Sequence, residues 1–160
     1  MLKRQHPNFI AANNVYNSMI FNITYEKKEI TDEINDLVGV PYSFINRLRK
    51  GGIGSERMMV IDASPLIEGL LQYEDQPNFC NMELRPKGVI VYFKYRSEIY
   101  SWAIPFAKLS LYRSAESYRV YGDAEFMKVT KALNSDALKR FMDKLMDHRA
   151  TYLHSISGPN

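Results

Sequence analysis

Hydrophobic positions along this chain follow two periods, and the places where the period changes mark its elements. In residues 15–26, VYNSMIFNITYE, the apolar Met19, Phe21, Ile23 and Tyr25 alternate with Ser18, Asn22 and Thr24. Period two predicts a strand with one buried face. From residue 30 the interval lengthens. Ile30, Ile34, Leu37 and Val38 fall on one helical face, with Thr31 or Asp32 as its cap. Gly39 interrupts, Pro41 suits a first helical position, and Phe44, Ile45 and Leu48 form a second short stripe. Arg47, Arg49 and Lys50 load its last turn, where the helix dipole favours cations, before Gly51 and Gly52. The pattern predicts a helical pair over residues 30–50. RMMVID at 57–62 reads as a buried strand. In SPLIEGLLQYED at 64–75, Ser64 and Pro65 open a helix whose face is Leu66, Ile67, Leu70 and Leu71.

Period two returns after residue 78. NFCNMELRP leads into GVIVYFKYRSEIYSWAIPFAKLSLYR, in which Val89, Val91, Phe93 and Tyr95 point one way and Ile90, Tyr92, Lys94 and Arg96 the other. A turn at 96–98 sends IYSWAIP back as an antiparallel partner. Pro105 breaks the ladder, so AKLSLYR is either a third strand or the same strand after a bend. SAES at 114–117 turns again into YRVYGD and EFMKVT, completing a meander. The chain then resumes a helical interval at Leu138, Phe141, Met142, Leu145 and Met146, behind Ser135 or Asp136 as cap. Arg149 falls in that stripe. Either the helix leaves the core after Met146, or Arg149 carries its head out to solvent.

These elements predict an α+β fold: an antiparallel twisted sheet or partial barrel with an inserted helical pair and a C-terminal amphipathic helix. The expected organisation is a single domain over 1–160, with a loose segment at 1–14, the helical pair at 30–50, and sheet plus terminal helix at 78–153. Length and a hydrophobic share of 46% agree with a packed globule. The net charge of +3 is a mild basic excess that suits an anionic partner without requiring one.

Chemistry narrows the field by what is missing. Cys80 is the one cysteine of the chain, which rules out an internal disulfide and a zinc site with two or more thiolates. Beside Phe79 and Met82 it reads as a buried, inert thiol. His148 and His154 stand six residues apart, about 240° around a helix, and share no ligand face; His6 is remote in sequence. GGIGSER at 51–57 lacks phosphate-loop spacing and follows a helix, so it reads as a helix stop and turn. Asp62 and Ser64 suggest a base and nucleophile, yet a strand-end aspartate before Ser-Pro is ordinary cap chemistry. No catalytic residue, cofactor or metal ligand is predicted, and the chain is not expected to be an enzyme. With no secretory apolar core at its N-terminus and no run of about 18 apolar residues, the expectation is a soluble, cytoplasmic protein.

Residues 34–50, INDLVGVPYSFINRLRK, resemble the helix-turn-helix of lactose-repressor-type bacterial regulators. The turn glycine is Gly39, the apolar contacts are Ile34, Val38, Val40, Ile45 and Leu48, and Asn35 stands where that family usually has alanine. The resemblance implies that Tyr42, Ser43, Asn46 and Arg47 would face nucleic acid. A broader resemblance covers residues 78–153. Short antiparallel strands, the segment YSWAIPFAKLSLYR and one final helix are similar to bacterial pleckstrin-homology-like domains, which implies a module that binds a ligand or protein without catalysis. The mixture Tyr92, Lys94, Arg96, Tyr100 and Trp102 has the residue types that bind single strands, although a tryptophan near proline is ordinarily core. Anionic lipid is a further partner for basic residues, here without a polybasic run. The functional expectation is a non-catalytic binding or scaffolding module whose partner is a protein or an anionic ligand. Its alternative is a DNA-binding regulator that reads through residues 34–50.

Overall fold

A computed structural model describes residues 19–71 and 77–159. The expectations for residues 1–18, including His6, and for the 72–75 tail of the third helix lie outside these. Eight strands form one open antiparallel sheet: β1 (Ile20–Asn22), β2 (Met58–Ala63), β3 (Asn78–Arg85), β4 (Gly88–Tyr95), β5 (Glu98–Pro105), β6 (Leu109–Ser114), β7 (Ser117–Gly122) and β8 (Glu125–Lys131). Among the described residues four helices accompany them: α1 (Lys28–Val38), α2 (Phe44–Arg49), α3 (Pro65–Leu71) and α4 (Ala137–Ser157). The α+β class read from the sequence is the class observed.

The strand order is β1-β5-β4-β3-β2-β8-β7-β6. Two meanders, β3 to β5 and β6 to β8, are joined by β2, whose Met58 faces Cys80 on one side and Lys131 on the other. β5 and β6 are consecutive in sequence but do not pair. Pro105 has no N–H to give a ladder, and Phe106–Lys108 form a 3-10 turn that carries the chain to the far edge. Of the two sequence readings of residues 107–113, the separate strand is the one formed.

The sheet curls until distant strands meet. β5 and β7 are five strands apart in the order, about 24 Å if the sheet were flat. Yet a Cβ placed on Gly122 of β7 would lie 2.9 Å from both the Trp102 ring and Ile104 of β5. Glycine is what lets β7 close over them, so the sheet is a partial barrel. Its interior holds Met82, Leu84, Val91, Phe93, Trp102, Ile104, Val120 and Val129, together with Ile67, Leu70 and Leu71 of α3. Phe141, Met142 and Leu145 of α4 enter the same cluster as Trp102, as the terminal stripe predicts.

Several local expectations change. Residues 19–25 do not form a strand with one wet face. Ile20 faces the interior, whereas Phe21 and Ile23 lie beneath α1 on the outer face, so both sides are covered and Tyr25 is left in solvent. Neither Thr31 nor Asp32 caps α1; the helix starts earlier, behind Lys27, and the Thr31 hydroxyl donates to the Lys27 carbonyl. Pro41 precedes α2 rather than opening it, because Ser43 is the cap and accepts the Asn46 N–H. The turn at residue 96 closes before Glu98, which belongs to β5. Arg149 takes a third course. Its Nε donates to the Phe106 carbonyl at 3.2 Å while Tyr152 rests on the Phe106 ring, so α4 stays on the core beyond Met146.

Candidate functional site

The outer face of the sheet is the one the meander pattern assigns to Ile90, Tyr92 and Lys94, and it is only half covered. α1 lays Ile34 and Val38 on Ile90 and Ala103. Beyond the end of that contact, toward the β4–β5 turn, the face opens into a cleft of about 430 Å³. Register explains its lining. Cys80 pairs with Phe93 and Met58 with Cys80, so the residues one step away, Arg57, Phe79, Asn81, Tyr92 and Lys94, share the outer side. Ile99 faces Lys94 from β5, and Arg96 stands at the turn with φ 55°.

Three cations meet there. The Arg57 guanidinium lies 3.6 Å from the centroid of the Phe79 ring, a stacking that fixes its plane and leaves its N–H edges for a ligand. Arg96 sits 5.3 Å from the Tyr95 ring. None of Arg57, Lys94 and Arg96 forms an ion pair with a described residue, and no carboxylate is among the described side chains that line the cleft. Lys94 is exposed, and the phenol of Tyr92 is half-buried. Burial first, then the Glu83 charge, raises the Tyr92 pKa against the lowering effect of Arg85. Its hydroxyl is therefore a neutral donor at physiological pH.

Tyr92 also lines a second hollow of about 390 Å³ beneath α1, with Ile30, Ile34, Arg85 and Ser101. The Ser101 hydroxyl there is fully buried and has no hydrogen-bond partner among the described residues. Arg85 is committed to structure, donating to Glu83, to Asn35 Oδ1 and to the Gly39 carbonyl.

The aromatic–basic mixture read from the sequence is divided between two sides. Tyr92, Lys94 and Arg96 face the cleft, whereas Tyr100 and Trp102 point into the interior. Strand alternation predicts the division once the register is known: even-numbered Tyr92 and Lys94 of β4 share a side with odd-numbered Ile99 and Ser101 of β5. Sequence reasoning missed Arg57 and Phe79, whose place depends on β2 pairing with β3.

The helix-turn-helix candidates are spread over α2 and its lead-in. Tyr42 is half-buried and lies under Lys50, with its pKa raised by burial. Ser43 caps the helix, and Arg47 Nε donates to the Tyr42 carbonyl. Asn46 and Arg47 are exposed. The apolar contacts expected to bind the two helices divide: Ile34 and Val38 are buried against the sheet, while Val40, Ile45 and Leu48 are exposed. A helix of six residues ends before its stripe can reach α1, and Gly39 turns the chain away.

Burial pushes the Cys80 thiol up to about 12, which suits an inert core sulfur. Asp62 is 3.4 Å from Arg119, and the Ser64 hydroxyl donates to Glu125 and accepts the Phe126 N–H, so the two do not form a nucleophile pair. GGIGSER runs beside β3, with Leu84 donating to the Ile53 carbonyl and Met82 to Ser55 Oγ. His148 and His154 lie on α4 without joining a metal-binding group among the described residues. No described helix is long and apolar enough to cross a membrane. Compared with family models, curated proteins and solved structures, the chain finds no match.

Proposed function

We propose that this protein is a non-catalytic binding module that captures an anionic ligand, with an aromatic or apolar body, on the outer face of its sheet. One observation carries the reading. Arg57, Lys94 and Arg96 converge on a single cleft walled by Phe79 and Tyr92, and no described carboxylate neutralises it. Cations gathered over low-dielectric walls concentrate counter-charge, and a stacked guanidinium offers a carboxylate or phosphate two parallel hydrogen bonds. The aromatic walls supply the apolar contact that such pockets use for most of their affinity.

Phenyl phosphate is the simplest probe with both features, and phenol is its uncharged control. Calorimetric titration of the full chain should give a dissociation constant near or below about 1 mM for phenyl phosphate, with phenol weaker by about tenfold or more. The Lys94→Ala/Arg96→Ala double variant should weaken phenyl phosphate by about fivefold or more while leaving the thermal midpoint in place, since both side chains are exposed. Equal affinity for the two probes, or affinity indifferent to the double variant, would overturn the reading.

A further inference from the structure

At the opposite end of β4 lies a second surface. The Lys87 N–H donates to the Val38 carbonyl, which ties the β3–β4 turn to the chain entering residues 40–50. Lys94 is seven residues farther along the chain, about 23 Å away in an extended strand, so the two surfaces are separate. α2 has no buried residue. Phe44 is 74% exposed, Leu48 65%, Val40 63% and Ile45 60%. Four large apolar side chains within nine residues form a patch, unlike the isolated exposed leucine that any surface carries.

The charge within this segment is one-sided. Residues 37–55 contain Arg47, Arg49 and Lys50 and no acid. Removing those three from the 21 Lys and Arg leaves 18, equal to the 18 Asp and Glu of the chain. The whole net charge of +3 is therefore accounted for by this tip. A fourth cation supports it from α4, where Lys144 Nζ donates to the Lys50 carbonyl at 2.7 Å and to that of Gly52 at 3.1 Å. These bonds tie the turn that follows α2 to α4.

We propose that residues 40–50 dock on an anionic lipid surface, with Val40, Phe44, Ile45 and Leu48 entering the headgroup–acyl boundary and Arg47, Arg49 and Lys50 meeting lipid phosphates and carboxylates. Apolar side chains ringed by cations match an interface that is apolar beneath and negative above. Duplex DNA fits less well, because phosphates would satisfy the cations and leave Phe44, Ile45 and Leu48 in water. A second copy of the chain fits less well too, because a two-fold contact places Arg47, Arg49 and Lys50 against themselves. The attachment is peripheral and salt-sensitive, because three cations and four side chains give reversible binding.

Co-sedimentation of the full chain with phosphatidylcholine vesicles, with and without about one third phosphatidylserine, tests this. Binding is expected to the anionic vesicles, weakening steeply with salt, and little to phosphatidylcholine alone. Phe44→Ser/Leu48→Ser should reduce it by about tenfold or more, and Arg47→Gln and Arg49→Gln by about fivefold each. Leu48→Trp supplies a readout that does not depend on loss: its emission should shift to the blue on anionic vesicles and be quenched from within the bilayer, while Trp102 is already buried. Absence of vesicle binding, or binding that keeps its strength in Phe44→Ser/Leu48→Ser with Leu48→Trp unshifted, would overturn the proposal. So would a concentration-dependent dimer abolished by Phe44→Ser. Duplex DNA binding abolished by Arg47→Ala, without vesicle binding, would replace it with the nucleic-acid reading.

Discussion

Arg85 lies on the outer face of β3 with 7% of its surface exposed, and its guanidinium joins helix to sheet. Nε donates to Glu83 at 2.5 Å, and Nη1 donates to Asn35 at 3.2 Å and to the Gly39 carbonyl at 3.1 Å. A buried ion pair need not add net stability, but removing one member strands the other, together with the acceptors it satisfied. Arg85→Met should therefore lower unfolding free energy by about 3–5 kcal/mol in urea. Glu83→Gln, at a site about a quarter exposed, should cost clearly less; equal losses would mean that the charge pair with Glu83, not the bonds to Asn35 and Gly39, is the arginine's contribution. Cys80 makes a pH prediction. Its thiol is raised from 9.0 to about 12 by burial. Between those values the unfolded chain releases a proton that the folded one keeps, so stability falls as pH rises, by up to about 1.4 kcal/mol per unit. Below 9 the contribution is fully present. Between pH 9 and 10, before tyrosines enter, Cys80→Ala should flatten the slope seen in denaturant titrations; an unchanged slope would remove the thiol as its source. The inertness of Cys80 was legible from its apolar neighbours. The burial of Arg85 was not, because its partners Asn35 and Gly39 stand 50 and 46 residues away.

Among the elements, β4 and β5 were the plainest in the sequence: the alternation of β4 held, and β5 returns as its antiparallel partner. What alternation concealed is that both of their faces are covered where α1 crosses them. Ile90 and Ala103 lie under α1 while Val91 and Trp102 face the interior. Gly88 shows how close the layers come: a Cβ there would sit 2.2 Å from the Ile104 carbonyl and 2.8 Å from Val38 of α1. Backbone cannot yield as a side-chain tip can, so Gly88→Ala should cost about 2–3 kcal/mol by overpacking. A neutral result would mean that α1 rides loosely on the sheet. On the opposite face, Phe141→Ala should cost about 3–5 kcal/mol; a loss under about 1 kcal/mol would make α4 peripheral. Helix caps were the weakest part of the sequence reading. Ser, Thr and Asp recur near every start, and tertiary contacts decide how each is used: Ser64 stands before Pro65 as the pattern predicts, yet its hydroxyl turns to Glu125 and Phe126 of β8. The candidate site was half legible for a related reason. Tyr92, Lys94 and Arg96 lie within one strand and its turn, whereas Arg57 and Phe79 join them through a pairing of β2 with β3 that no local pattern encodes.

At the scale of the molecule, the strand order sets where stability is concentrated. β2 lies between two meanders, so the barrel assembles only when residues 58–63 meet both 78–80 and 127–131, contacts of long sequence separation. The centre is doubly covered: residues 89–91 and 100–104 are buried without interruption. The edges differ. β1 has three residues, the shortness that discourages further pairing. β6 has six, with Tyr112, Arg113 and Ser114 exposed and β7 as its one strand partner among the described residues. Native-state hydrogen exchange should therefore grade across the sheet. The Val91 and Trp102 amides should open only with global unfolding, and those of β6 by local fraying at much lower free energy. The arginine and the exposed ring on β6 are the kind of side chains that keep a free edge from pairing onward. If instead the β6 amides are as protected as those of β5, and that protection rises with protein concentration, the edge is occupied by a second chain and the open sheet continues across a dimer. If they exchange quickly at every concentration, the partial barrel ends at β6, and the outer cleft and the basic tip are the surfaces left for partners.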